Sequence, residues 1–228
     1  MTQPRIALIH ATPLAVMPIN EAFKKLWPTA HCHNLLDDTL SQDLSRDGHL
    51  SKEMFQRFSD LSQYTLRAGC NAILFTCSAF GPAIEAVAQT SGVPTLKPNQ
   101  AMFEQALNLA VKGTPLRVGL IATFNPSIES MSQELKDLAT TQNKKIELFT
   151  VFVPNAMQDL ANGNAQLHHD LIAEGAKTLP ACDVILLAQF SMAAALPTVC
   201  SKLLPLKTPV LSSPECAVIS IRDALTKV

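Results

Sequence analysis

The chain has 228 residues, 47% of them hydrophobic and 16% charged, with a formal net charge of −1. That length suits one large domain or two small ones, and the apolar, weakly charged composition excludes a disordered chain. The balanced charge excludes the basic excess of a nucleic-acid binder, and 5% aromatic content leaves little for a base-stacking surface.

Short apolar runs alternate with longer amphipathic segments along the whole chain. Ile6–Ile9 reads as a strand, and Leu14–Trp27, set between Pro13 and Pro28, reads as a helix. A second strand over Ala30–Leu36 is followed by a polar loop, Asp37–Gly48. A long helix is expected over Ser51–Ala68, then a strand over Ala72–Phe75, a helix over Pro82–Gln89 and a strand over Val93–Lys97. A helix over Asn99–Val111 ends the first half, and Thr114–Leu116 reads as the connection. The second half reads as strand Val118–Ala122, helix Ser127–Thr141, strand Ile146–Phe152, helix Asn164–Leu179 and strand Val184–Leu187. A helix over Ala193–Leu203, a strand at Val210–Leu211 and a helix from Pro214 onward complete it. Apolar runs of this length between helical patterns imply buried parallel strands in βαβ units. No run reaches the ~18 apolar residues of a membrane span. Met1–Arg5 passes straight into the first strand without the apolar core of a signal peptide, so a cytoplasmic protein with no membrane partner is expected.

The pattern repeats. Arg5–Ile9 matches Arg117–Ile121, and Ile73–Cys77 matches Ile185–Gln189 at the same offset. Val93–Leu96 and Thr208–Leu211 match at nearly that offset. An α/β fold of two pseudo-symmetric parallel-sheet lobes follows, the first comprising residues 1–98 plus 213–228 and the second residues 99–212. The final helix is expected to cross back onto the first lobe, and the helix from Asn99 to pack on the second. Ligands of open parallel sheets sit beyond the carboxyl ends of the strands. The active site is therefore expected in a cleft between the lobes, fed by the loops His10–Pro13 and Thr76–Ala79 from one and Thr123–Ser127 and Gln189–Ser191 from the other.

Six cysteines are present, none in a CxxC pair, and free, mostly buried thiols are expected. The histidines show no metal-ligand spacing, so no metal site is expected; of the adjacent His168 and His169, at least one should lie at the surface. Asp37-Asp38 reads as a solvated loop pair, and Lys97 is a candidate for attracting an anionic substrate. Cys77 stands apart. It follows an apolar strand, lies between Thr76 and Ser78, and precedes a helix. Unpaired backbone N–H groups at such a turn can hold a carboxylate and favour a thiolate, which could act as a base or a nucleophile.

Ile73–Ser78 and Asp183–Gln189 carry a resemblance to the aspartate/glutamate/hydantoin racemase superfamily, which includes arylmalonate decarboxylase and maleate cis–trans isomerase. The resemblance spans Arg5 to about Arg222. It implies a cofactor-independent enzyme, a homodimer, and a small carboxylate substrate, an amino acid or a dicarboxylate. It also implies a cysteine at the end of each of the two strands, one taking a proton from the α-carbon and the other returning one. Cys77 fills the first position, with Thr76 and Ser78 as implied carboxylate ligands; Thr12, Thr123, Asn125 and Ser127 match the polar first-strand loops. Gln189 stands where the second cysteine is expected. An amide neither gives nor takes a proton at neutral pH. A single-thiol reaction is therefore expected: racemase or isomerase chemistry first, a decarboxylase or a non-catalytic carboxylate-binding protein as alternatives. Gln189 with Ser191 would bind a carboxylate or carbonyl oxygen, and His10 is a candidate second acid/base.

Overall fold

A computed structural model describes residues 3–205 and 207–226. In chain order the first half consists of β1 (Arg5–His10), α1 (Val16–Leu26), β2 (His31–Leu36), α2 (Thr39–Asp47), α3 (Lys52–Arg67), β3 (Ala72–Phe75), α4 (Gly81–Thr90), β4 (Thr95–Leu96) and α5 (Gln100–Leu107). The second comprises β5 (Leu116–Ala122), α6 (Ser127–Thr141), β6 (Ile146–Phe152), α7 (Ala156–Ala161), α8 (Ala165–Lys177), β7 (Val184–Leu187), α9 (Leu196–Lys202), β8 (Val210–Ser212) and α10 (Ser213–Thr226). Short 3₁₀ turns at Pro13–Ala15, Ser78–Phe80 and Phe190–Ala195 lead into α1, α4 and α9.

Two four-stranded sheets result, ordered β2-β1-β3-β4 and β6-β5-β7-β8, with every pairing parallel. The repeat read from the sequence is thus a repeat of topology. The inner strands β1, β3, β5 and β7 are buried almost throughout, as apolar runs covered on both faces must be. The edge strands β2 and β6 are more exposed and carry the histidines and the glutamate that an edge tolerates.

The chain divides into two compact units, Met1–Gln100 with Pro214–Val228, and Ala101–Ser213. In the first, α10 lies against α1: Glu215 pairs with Lys25 at 2.8 Å, and the Arg222 guanidinium donates to the Leu26 carbonyl at the end of α1 at 3.2 Å. A cation there also meets the negative end of the helix dipole. Thr114–Leu116, read as the connection between halves, lies inside the second unit, where the Leu116 N–H donates to Lys145 at 2.9 Å. Gly175 lets α8 close on the sheet, since a Cβ there would sit 2.7 Å from Val153.

Two helices differ from the sequence reading. The segment Asp37–Gly48 is not a loop, because α2 occupies Thr39–Asp47. Leu40 and Leu44, spaced i and i+4, are its buried side, and Gly48 at φ +69° closes the helix in the left-handed conformation. Of the pair Asp37-Asp38, Asp38 is exposed as expected, but Asp37 is more than solvated surface. Arg57 of α3 reaches Asp37 at 2.5 Å and Asp43 at 2.7 Å, and so binds α2 to α3. Burial alone would raise the Asp37 carboxyl, but hydrogen bonds from Arg57 and Thr39 outweigh it and hold it below the usual range. All three side chains are partly solvated, so the clamp contributes on the order of 1 kcal/mol. We expect Arg57→Ala to lower the chemical-denaturation midpoint by about that free energy at low salt, and by less at 1 M NaCl, where screening is short-ranged. The second departure is α7, a single short helix in the matching place of the second half.

Candidate active site

The strand ends of each unit carry the residues singled out above. In the first unit, Phe75 packs its ring on Phe58 at 5.2 Å between centroids, and Phe80 packs on the same ring at 5.0 Å. These buried rings fix the ends of the Thr76–Ala79 loop. Cys77 leaves β3 in extended conformation and precedes the 3₁₀ turn Ser78–Phe80, which runs directly into α4. Its side chain is half-buried, at the edge of a small cavity shared with Ile9, His10, Ala11, Leu40, Phe58 and Phe75.

Burial pushes the Cys77 thiol up; hydrogen bonds from the Ala79 N–H and the Ser41 hydroxyl oppose that without overcoming it. The turn amides were expected to favour a thiolate; desolvation outweighs them, and Cys77 rests as a protonated thiol. Ser41 was read as part of a loop. The spacing of Leu40 and Leu44 with a glycine at 48 is the signal that would have placed it on a helix.

His10 is fully buried, and both ring nitrogens are used. Nε2 lies 2.9 Å from Asn34 Oδ1, and Nδ1 lies 2.8 Å from Thr76 Oγ1. Asn34 is oriented by reciprocal bonds with Asn20 at 2.8 and 3.2 Å. An amide oxygen only accepts, so Nε2 carries the proton and the bare Nδ1 accepts from the Thr76 hydroxyl. Burial lowers the His10 pKa, with the Asn34 bond raising it less, so the ring is neutral. The Thr76 hydroxyl thus points inward, donating to His10 with the Ile9 carbonyl at 3.3 Å as its longer alternative acceptor. The ring and the hydroxyl brace the strand ends from within. Thr12 caps the 3₁₀ turn at Pro13–Ala15, accepting from the Leu14 N–H at 3.4 Å, and Ser78 is buried in the turn after Cys77. Lys97 pairs with Glu85 at 2.7 Å.

In the second unit Gln189 occupies the strand-end position corresponding to Cys77. Its Oε1 accepts from the Thr123 N–H at 2.7 Å and from the Thr123 hydroxyl at 3.2 Å. Its Nε2 donates to Ser127 Oγ at 2.7 Å, and Ser127 in turn donates to the Phe124 carbonyl at 2.7 Å. The glutamine ties the end of β7 to the loop that starts α6. Asn125, on that loop, is exposed.

Ser191 is buried in the following turn. His168 of α8 is also fully buried; its Nδ1–H donates to the Ala156 carbonyl at 2.7 Å, and Nε2 finds no partner among the described residues. Burial lowers the His168 pKa, and the Ala156 bond and the Ser191 backbone oppose this more weakly. His169 is half-buried, so neither histidine of the pair is plain surface.

His10 and His168 make the fold acid-sensitive. Each is neutral when folded and has an unfolded value of 6.5, so below that pH the unfolded chain binds the extra proton. Stability should be full above about pH 6.5 and fall as pH drops through 6.5 toward the lowered folded values. The midpoint of thermal unfolding, followed from about pH 8 to pH 5, checks this. His168→Gln should flatten the slope, and a pH-independent midpoint would contradict the assignment.

All six cysteines are free; Cys70 is buried, Cys200 is exposed, and the others are half-buried, which corrects the expectation of mostly buried thiols. Among the described residues, no group of three or more His, Cys, Asp or Glu side chains is placed to hold a metal ion, and no helix is long and apolar enough to cross a membrane.

The sequence profile of the family described as Asp/Glu/Hydantoin racemase matches residues 28–221. No curated protein matches the chain by sequence. A glutamate racemase from Bacillus anthracis has a similar fold, with a TM-score of 0.76 and 15% identity over 100% of this chain and 83% of its own. An allantoin racemase from Klebsiella pneumoniae gives 0.71 and 13% identity, covering 98% of this chain and 88% of its own. An aspartate racemase homologue from Pyrococcus horikoshii gives 0.67 and 14% identity, covering 99% of this chain and 100% of its own.

Proposed function

The chain belongs to the Asp/Glu/hydantoin racemase family, and we propose that it is a cofactor-independent isomerase of a small carboxylate, an amino acid or a dicarboxylate, working through Cys77. The observation that carries this reading is the placement of that thiol. It follows a buried parallel strand and heads a turn that runs directly into α4. In this reading Ser78 and the turn amides hold the substrate carboxylate, as backbone donors at a helix start do for anions. Thr12 supplies a further polar contact. Thr76 and His10 act as supports.

Two isomerase steps need only one thiol. In the first, Cys77 gives its thiol proton to water, and the thiolate then takes the α-proton and leaves an enediolate; the thiol formed gives a proton back to the same carbon. Return on the same face exchanges the proton, and inversion needs a donor other than Gln189. In the second, the thiolate adds to an activated double bond, and the π electrons move to the conjugated carbonyl. The former double bond rotates, and the C–S bond breaks with return of the electron pair.

A decarboxylase is the second reading, favoured by one observation: burial pushes the Cys77 thiol up, which suits a proton donor. There the C–C bond breaks, its electron pair stays on the α-carbon, carbon dioxide leaves, and the Cys77 S–H protonates the enediolate. The thiolate then regains a proton from water. Enantiopure amino acids, cis dicarboxylates and 2-substituted malonates separate the readings. Racemised or isomerised product supports the proposal; carbon dioxide release from malonates alone overturns it for the decarboxylase.

A further inference from the structure

The two units use different ties at the same place in the fold. The register of the inner strands matches, with Ile9 opposite Phe75 in one sheet and Ile121 opposite Leu187 in the other. The residues that follow also correspond: the Thr76 N–H donates to the Ile9 carbonyl at 3.0 Å, and the Ala188 N–H to the Ile121 carbonyl at 2.9 Å. His10 and Thr76 therefore stand where the second unit has Ala122 and Ala188, and all four are buried. Two alanines complete the strand ends there, so the strand pairing itself needs no polar pair. Beyond Ala188, Gln189 secures its own loop through Thr123 and Ser127.

Cys77 holds the corresponding position in the first unit, and a thiol is a weak hydrogen-bonding group. A sulfur that must meet a substrate cannot also be committed to its own loop. We propose that Asn34, His10 and Thr76 are positioning residues for Cys77: they take over, one residue earlier in the chain, the anchoring that Gln189 performs with its own side chain, and so leave the sulfur free. Asn20 donates to Asn34 Oδ1 at 2.8 Å, His10 Nε2–H donates to the same oxygen at 2.9 Å, and the Thr76 hydroxyl donates to His10 Nδ1 at 2.8 Å. The relay joins α1, β2 and β1 to the end of β3, immediately before Cys77. A buried polar group costs free energy unless it is hydrogen-bonded, and each nitrogen of the buried ring has its partner. Asn34 sets the direction of the relay. Without an acceptor at Nε2, the neutral ring carries its proton on Nδ1 and donates to Thr76, whose hydroxyl turns to the Ile9 carbonyl, 3.3 Å away.

The inference rests on Cys77 as the reactive group, but its test needs no substrate. Hydrogen–deuterium exchange of peptides spanning residues 76–80, and alkylation of Cys77 by iodoacetamide at about pH 8, are followed by mass spectrometry in the full-length parent, Thr76→Val, Thr76→Ser and Gln189→Leu. Thr76→Val keeps the shape of the side chain and removes the donor. The Cys77 loop should then exchange roughly fivefold faster, the usual worth of one hydrogen bond. The loosened thiol, better reached by water and reagent, should be alkylated faster by a similar factor. Thr76→Ser keeps a hydroxyl and should stay near the parent, and Gln189→Leu should speed exchange in the Phe190–Ala195 turn. In Asn34→Leu the His10 ring proton should move from Nε2 to Nδ1, read from nitrogen-15 spectra of the ring. An unchanged Cys77 loop in Thr76→Val overturns the inference. So does a Thr76→Ser change as large as that of Thr76→Val, faster exchange in Thr76→Val spread evenly over both units, or a His10 proton that stays on Nε2 in Asn34→Leu. None of these readouts involves turnover, so they stand or fall apart from the proposed reaction.

Discussion

Cys77→Ser is expected to lower turnover by about 10²- to 10⁴-fold, the usual worth of one positioned acid/base group, while far-ultraviolet dichroism and the melting midpoint stay close to those of the parent. The size follows from the chemistry. A thiol has an ordinary pKa near 8.5, and although burial pushes that of Cys77 up, it still ionises far more readily than a hydroxyl. A serine hydroxyl cannot ionise at working pH, so neither the proton transfer nor the addition to a double bond survives the exchange. The fold should survive because the two side chains differ little in size and Cys77 is half-buried at a strand end, outside the packed Phe58, Phe75 and Phe80 rings. A turnover loss accompanied by a large fall in melting midpoint would instead make Cys77 a packing residue.

Gln189→Leu should destabilise the protein by roughly 2–4 kcal/mol, judged from denaturant midpoints. The substitution keeps approximate volume and removes the amide that Thr123 and Ser127 share. Thr123 is 5% exposed and Ser127 is 0% exposed, so water cannot readily replace the lost partner. A buried donor left alone costs about 1–3 kcal/mol, and here both a backbone N–H and a serine oxygen are affected. Gln189→Glu should fall between parent and leucine. One carboxylate oxygen still accepts from the Thr123 N–H. The other meets a Ser127 oxygen whose proton is already given to Phe124, so one of those bonds must be surrendered. If Gln189→Leu were as stable as the parent to within about 0.5 kcal/mol, Gln189 would not be the tie between the strand end and the α6 loop.

The strand framework was legible because its signal is local. Ile6–Ile9, Ile73–Phe75, Val118–Ala122 and Val184–Leu187 are apolar runs too short for helices, and burial on both faces follows from parallel pairing. Their repetition showed that one topology was used twice. Helix α2 was not legible by composition, since Leu40 and Leu44 are its only buried residues, and the stabilising Arg57 lies beyond α2, on α3. At the site, Cys77 and Gln189 could be placed at strand ends from spacing alone. What surrounds them could not. Ser41 meets Ala11 across 30 positions, and His10 meets Thr76 across 66. Such contacts arise from tertiary packing, and they changed the chemistry: His10 became a neutral brace rather than a free base, and Cys77 a resting acid.

The account stands on proton traffic at one sulfur, and deuterium reads that traffic most directly. The protein is incubated in D₂O with a panel of small amino acids, unsaturated dicarboxylates and 2-substituted malonates, and products are analysed by mass spectrometry and chiral chromatography. The account predicts that at least one substrate gains deuterium at the α-carbon, or isomerises about its double bond, with the parent protein and not with Cys77→Ser. Equal exchange or isomerisation with Cys77→Ser would contradict it.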